Sequence, residues 1–348
     1  MGRYLLQGRD RGRIIGIYGG LAVANLAVWA GALLALGERP VLLGTALIAY
    51  GFGLRHAVDA DHIAAIDNVT RKLMQEGKRP LCVGLFFALG HATVVILASS
   101  AIALAASAFK DELDALREIG GVISTAVSAL FLLAVAVINM FVLRGVYRSF
   151  ARVKAGGGYA EEDLDRLLQQ GGLLARLLRP LFAMLSRSWQ MYPLGFLFGL
   201  GFETASEVAL LGISAEEAAK GLSVWAIMIF PALFTASMTL IDTTDGILMV
   251  GAYGWAYRKP IRKLYYNMTI TAVSVLAALV VGGVEVLGLV GDRLSLSGGL
   301  WDVVAALNEN FGGMGYLIIA IFVLSWIGSA VIYRLKGFHR IDAAAPSS

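Results

Sequence analysis

Apolar residues in this chain do not alternate with polar ones. They come in long stretches broken by short polar punctuation. A helix needs about 20 apolar residues to cross the hydrocarbon core of a bilayer. Eight runs reach that length, at roughly 14–36, 41–67, 80–108, 119–143, 191–213, 221–246, 265–290 and 314–335. At that depth each peptide N–H and C=O must be satisfied inside the segment, which a helix achieves. The pattern predicts an all-α membrane protein with eight transmembrane helices. Two runs are irregular. The second carries charge through its last third, and the sixth crosses Pro231 and ends at Asp242 and Asp245.

The connecting segments sort by charge. One side collects Arg3, Arg9, Arg11 and Arg13, then Arg71, Lys72, Lys78 and Arg79, then the segment 144–190 with its eight basic residues. Arg258, Lys259, Arg262 and Lys263 fall on the same side, as do Arg334, Lys336 and Arg340. The opposite side holds Arg39, Lys110, Arg117, Lys220 and Arg293 among acids such as Asp111, Glu112, Asp114, Glu216 and Glu217. Basic loops stay cytoplasmic, so both termini are expected on the cytoplasmic side of the inner membrane. The chain reads as one integral membrane domain, 1–348, with a first half at 14–143, a cytoplasmic loop at 144–190 and a second half at 191–336. Within that loop Gly156–Gly158 precedes an amphipathic stretch from Leu164 to Leu181, suited either to the membrane interface or to a solvated linker.

Composition agrees. The chain is 58% hydrophobic with mean hydropathy +0.72, against roughly 45–50% apolar residues in soluble domains. The net charge of +4 belongs to basic loops and gives no reason to expect a nucleic-acid partner. A single cysteine, Cys82, leaves no internal disulfide and no thiolate-rich metal site. The basic opening MGRYLLQGRDRGR and the long run behind it do not have the form of a cleavable signal peptide.

The informative residues are polar ones at membrane depth, where a charge is costly and is a functional candidate by default. The second run ends GLRHAVDADHIAAID, packing Arg55, His56, Asp59, Asp61, His62 and Asp67 into fifteen residues. On a regular helix His56, Asp59 and His62 fall within an arc of roughly 120°, Asp67 joins them, and Asp61 points away. Two imidazoles and a carboxylate on one face suit a borderline divalent cation, with Asp61 orienting a ligand or pairing with Arg55. Gly51 and Gly53 would tolerate a break or a close helix approach here. The third run carries His91 and Thr93, the fifth Glu203, Thr204 and Glu207, the sixth Asp242, Thr243 and Asp245. An Asp245-Gly246 pair could alternatively mark a turn at the membrane edge. The second and fifth runs cross in opposite directions and share a weak Gly-Leu frame followed by acids, which suggests inverted halves around a midplane site. No P-loop, HExxH or GxSxG occurs.

These motifs carry a resemblance. RHAVDADHIAAIDNVTR, from Arg55 to Arg71, resembles the signature of the bacterial nickel/cobalt transporter family, whose second helix bears a His-x4-Asp-His pattern, here His56, Asp61 and His62. LGHATVV, LGFETASE and LIDTTDG look like the family's signatures in helices three, five and six; Glu203 and Ala92 depart from its usual residues. The resemblance implies a single-component permease for high-affinity uptake of Ni²⁺ or Co²⁺, with no ATPase subunit and no cofactor beyond the transported ion. It gives Asp61 the first-rank importance that helix geometry denies it. The ligand set so implied is His56, Asp59, Asp61, His62 and His91. Arg55, Asp67, Thr93, Glu203, Thr204, Glu207, Asp242, Thr243 and Asp245 would form the pathway or gate. Export of the same metals and an intramembrane metalloenzyme are the competing readings.

Overall fold

The computed structural model describes residues 8–105, 110–154, 185–201, 204–256 and 260–335. No strand occurs among them. In chain order the helices are α1 (Gly8–Leu36), α2 (Pro40–His56), α3 (Ala60–Gln75), α4 (Val83–Ala105), α5 (Lys110–Lys154), α6 (Met191–Phe198) and α7 (Ala205–Ala219). Then come α8 (Val224–Ile227), α9 (Ile229–Ala256), α10 (Pro260–Arg293), α11 (Leu300–Glu309) and α12 (Phe311–Leu335). Six helical stretches are long and apolar enough to cross a membrane: α1, α4, α5, α8 with α9, α10 and α12. The bent pair α2 and α3, if counted as one span, brings the number to seven. The chain is a multi-pass helical membrane protein.

The second apolar run is therefore not one helix. It stops at His56, resumes at Ala60 and turns by 51° between them. Asp59 holds the extended φ/ψ of an N-cap for α3, a position that aspartate favours. Gly315 of α12 lets the break exist: a Cβ there would overlap the Val58 carbonyl oxygen, so only a hydrogen can face it. A second interruption lies in the fifth run. There α6 passes into a 3-10 turn at Gly199–Gly201, and α7 begins at Ala205 behind its N-cap, Thr204. Breaks of this kind are tolerated at membrane depth when protein, not lipid, surrounds them.

The sixth run departs from expectation in the other direction. Pro231 sits in the first turn of α9, where no helical hydrogen bond is lost, and the helix continues to Ala256. Asp242, Asp245 and Gly246 are thus mid-helix residues and not a turn at the membrane edge. The leucine-rich stretch 164–181 lies outside the described residues. The amphipathic helix α11, between the seventh and eighth runs, was not legible as an element of its own.

Packing is inverted relative to a soluble bundle. On α1, Leu26 and Leu34 face outward, 70% and 89% exposed. The charged helix α3 is the interior element: every residue but Asp61 and Gln75 is buried. Its Ile63, Ile66 and Val69 join Phe87 of α4, Leu132 and Ile138 of α5, Val281 of α10 and Ile318 of α12 in the main core. A second core joins Ala46 and Ala49 of α2, Val95 of α4, Leu210 of α7 and Phe230, Leu233 and Met238 of α9. The α2–α9 seam closes at Gly53, where a Cβ would overlap the Phe234 carbonyl, and Ser237 Oγ donates across it to Tyr50 O at 2.8 Å.

Candidate metal site

Three imidazoles meet where the break turns the chain. His56 ends α2, His62 lies in the first turn of α3, and His91 comes from α4. All three are buried, and one ring nitrogen from each lies within 4.8 Å of the others. Their ring centroids form a nearly even triangle, 4.7, 4.7 and 4.9 Å on its sides. Phe87 stands edge-on to His62 at 4.8 Å and Phe234 tilts over His56 at 5.4 Å, so two sides of the cluster are dry.

A carboxylate joins from the other half of the chain. Glu207, in the first turn of α7, places Oε1 at 2.8 Å from His91 Nε2 and 3.8 Å from His56 Nε2. The two Nε2 atoms are 2.9 Å apart. Metal–nitrogen bonds of about 2.0–2.1 Å set at right angles put neighbouring donors roughly 2.9 Å apart. The His56–His91 and His91–Glu207 separations equal that spacing, which is also that of a hydrogen bond, and the His56–Glu207 separation of 3.8 Å is wider. Imidazole nitrogens with a carboxylate oxygen form a donor set suited to borderline divalent ions.

The remaining polar atoms hold these donors in place. His56 Nδ1 faces Asp59 Oδ2 at 3.1 Å and Thr204 Oγ1 at 3.2 Å, which leaves Nε2 for the centre. His62 Nδ1 faces Asp242 of α9, with oxygens at 3.2 and 3.4 Å. When that carboxylate accepts the Nδ1 proton, His62 Nε2 carries the lone pair, and it is a buried atom with no hydrogen-bond partner. Thr204 Oγ1 accepts from the Glu207 backbone N–H and donates to its Oε2 at 3.0 Å, fixing the carboxylate at the helix start. Asp61 also reaches the site: it lines the same cavity as His56, Asp59, His91 and Glu207, and its Oδ1 is buried without a hydrogen-bond partner. The regular-helix sorting that turned Asp61 away fails because the helix is broken at Ala57–Asp59.

That cavity, of about 1120 Å³, runs from the histidines past the start of α5 to the end of α10 and to α11. Arg55 lines it beside Asp59. The opposite flank is filled by a polar plug. Asp67 accepts from Tyr253 Oη of α9 and from Ser274 Oγ of α10, the latter at 2.6 Å. Arg71 donates to Asn68 Oδ1 at 2.8 Å and to Thr271 at 3.2 Å, and Asn139 of α5 donates to Asn68 as well. On α9, Thr243 Oγ1 and Asp245 Oδ2 are buried and unbonded.

One expected pathway residue falls elsewhere. Thr93 bonds its own helix at Leu89 O and the Tyr192 hydroxyl, both at 2.8 Å, and does not line the cavity. Glu203 lies outside the described residues. Conversely Tyr253, Ser274 and Asn68 were passed over, since hydroxyls and amides are common packing residues. Glu285 was passed over too, although a lone carboxylate inside the seventh apolar run meets the same criterion that flagged the others.

The profile of the NicO family, described as high-affinity nickel-transport protein, matches residues 42–332. A high-affinity nickel transport protein of Cupriavidus necator is 60% identical over 97% of this chain and 96% of its own length. Nickel transporter NixA of Staphylococcus aureus is 44% identical, covering 88% of each chain, and cobalt transport protein NhlF of Rhodococcus rhodochrous 43%, covering 85% and 84%. No solved structure matches the chain. With the profile spanning most of its length, the chain belongs to the NicO family of high-affinity nickel-transport proteins.

Proposed function

We propose that this protein is a secondary permease that takes up Ni²⁺, Co²⁺ or both across the bacterial inner membrane. It is a transporter and not an enzyme, as its family and relatives are. The observation that carries the reading is the buried triangle of His56, His62 and His91 with Glu207 beside it, open to a cavity on one flank and plugged on the other. In this reading the three histidines and Glu207 are the first ligands, Asp59 and Asp61 complete or exchange with them, and Asp242 holds His62. Asp67, Thr243 and Asp245 belong to the gate. Counting α2 with α3, and α6 with α7, as single broken crossings gives eight spans. Basic loops then put both termini in the cytoplasm. On that orientation the cavity opens outward, and the plug of Asp67, Asn68 and Arg71 is the closed cytoplasmic gate.

Two four-helix halves, 14–143 and 191–336, follow, and because each has four crossings both begin on the cytoplasmic side, so the halves run parallel and are not the inverted repeats the sequence suggested. The two broken crossings come from different halves, and each supplies the N3 residue of its second segment, His62 and Glu207, to one site. The negative interior favours import by roughly 2.3 kcal/mol per charge per 100 mV, twice that for a dication, so neither nucleotide hydrolysis nor an ATPase partner is required. His62→Ala and Asp61→Ala are expected to abolish uptake of labelled nickel and cobalt at unchanged protein level. Normal uptake by both variants would overturn the site.

A further inference from the structure

The helix α10 contributes nothing to the histidine cluster, yet it carries a carboxylate into the same cavity. Glu285 is only 5% exposed and lines the cavity wall. Ser128 of α5 donates to its Oε1 at 2.6 Å, which aims the carboxylate. Gly288, Leu289 and Asp292 line the cavity in step with it, three, four and seven residues on, so one face of α10 forms this wall. At 1.5 Å per residue Glu285 stands about 10 Å deeper than Asp292, near the helix end. A carboxylate at that depth, aimed by a hydroxyl into the wall of the cavity that reaches the histidines, is a functional candidate by default.

We propose that Glu285, positioned by Ser128, is a second cation station, where a hydrated divalent ion pauses between the mouth at Asp292 and the histidine site. The proposal rests on the uptake reading above and assigns a new residue to it. The two stations differ in donor chemistry. Imidazole nitrogens select borderline ions, whereas a carboxylate and a hydroxyl take any hydrated divalent ion, magnesium included. Selectivity then resides at the inner site, and Glu285 sets how fast ions reach it.

The test uses the full chain in sealed vesicles, with initial rates of labelled nickel uptake measured against nickel concentration. Glu285→Gln keeps the acceptor for Ser128 and removes the charge. Its apparent KM is expected to rise about tenfold, the lower end of the effect of focusing charge in a cleft, with the maximal rate unchanged. Cobalt(II) affinity of the purified variant, read from the ligand-field absorption of the bound ion, is expected to stay at the wild-type value. Excess magnesium is expected to raise the wild-type KM and to have much less effect on Glu285→Gln. An unchanged KM, or a reduced maximal rate at constant KM, overturns the station. If Glu285→Gln does not reach the membrane, the wild-type magnesium titration decides alone, and a KM that does not move overturns the proposal. Wild-type vesicles that accumulate no nickel at all defeat the uptake reading itself, and the station with it.

Discussion

Replacing Asp242 by asparagine isolates one contact between the two halves of the chain. Asp242 and His62 are both fully buried, and the carboxylate oxygens lie 3.2 and 3.4 Å from His62 Nδ1. No water can substitute for either partner at zero exposure. Asparagine retains one acceptor oxygen of similar reach, so the contact survives in weakened form. A hydrogen bond to a charged group contributes about 1.5–3 kcal/mol and one between neutral groups about 0.5–1.5, which leaves a loss of roughly 1–1.5 kcal/mol. Loss of the charge also lowers the basicity of the imidazole at Nε2. Changes to residues that orient a ligand histidine cost about 10–100-fold in metal affinity. Cobalt(II) titration of the purified variant, followed by ligand-field absorption, is expected to show a dissociation constant raised by that factor, with KM for uptake rising in parallel. Unchanged affinity would refute the orienting role. A loss well beyond about 1000-fold would refute it too, because Asp242 would then be a ligand in its own right.

Gly315→Ala drives a methyl group into the Val58 carbonyl, and overpacking costs about 1–3 kcal/mol. The melting temperature in detergent should fall and uptake with it, whereas Gly328→Ala, which meets nothing within 4 Å, should be neutral. Tyr253→Phe removes a buried donor to Asp67, and loss of a hydrogen bond to a charged acceptor costs about 1.5–3 kcal/mol. On the gate reading, metal release to the inside should accelerate in that variant even as its melting temperature drops; a slower release with lowered stability would leave the plug a packing device only. Thr93→Val breaks a contact with Tyr192 away from the cavity, so its nickel KM should equal the wild-type value within twofold, a factor worth about 0.4 kcal/mol.

How much of this was legible follows from what kind of signal each feature leaves. The histidines, Asp59, Asp61, Glu207 and Asp242 stood out because an ionisable residue inside an apolar run has no other easy explanation. The break at Ala57–Asp59 left no such mark. Neither proline nor glycine occurs at Ala57, Val58 or Asp59, and it is Gly315, more than 250 residues along the chain, that makes room for it. Angles computed for an unbroken helix therefore turned Asp61 away from the cavity that it lines. Asp242 and Asp245 were found but set at a helix end, because Asp-Gly is a turn signal only where tertiary packing does not carry the helix through. The weak frame shared by the second and fifth runs turned out to mark two interruptions. They are better matched by their caps, Asp59 and Thr204, than by the acids first aligned.

The burial of α3 has a consequence for how the protein is made. Asp61, Asp67, Arg71 and Lys72 lie on one short helix, and each would oppose its partition from the translocon into lipid by about 2.5–3.5 kcal/mol near the bilayer centre. The apolar residues of the same helix offset only a part of that. The groups that accommodate them, Tyr253, Thr271 and Ser274, belong to α9 and α10, which the ribosome has not yet synthesised when α3 emerges. So α3 cannot be released into the bilayer as a finished span in its turn. Its buried polar groups meet these partners only after the second half of the chain has arrived.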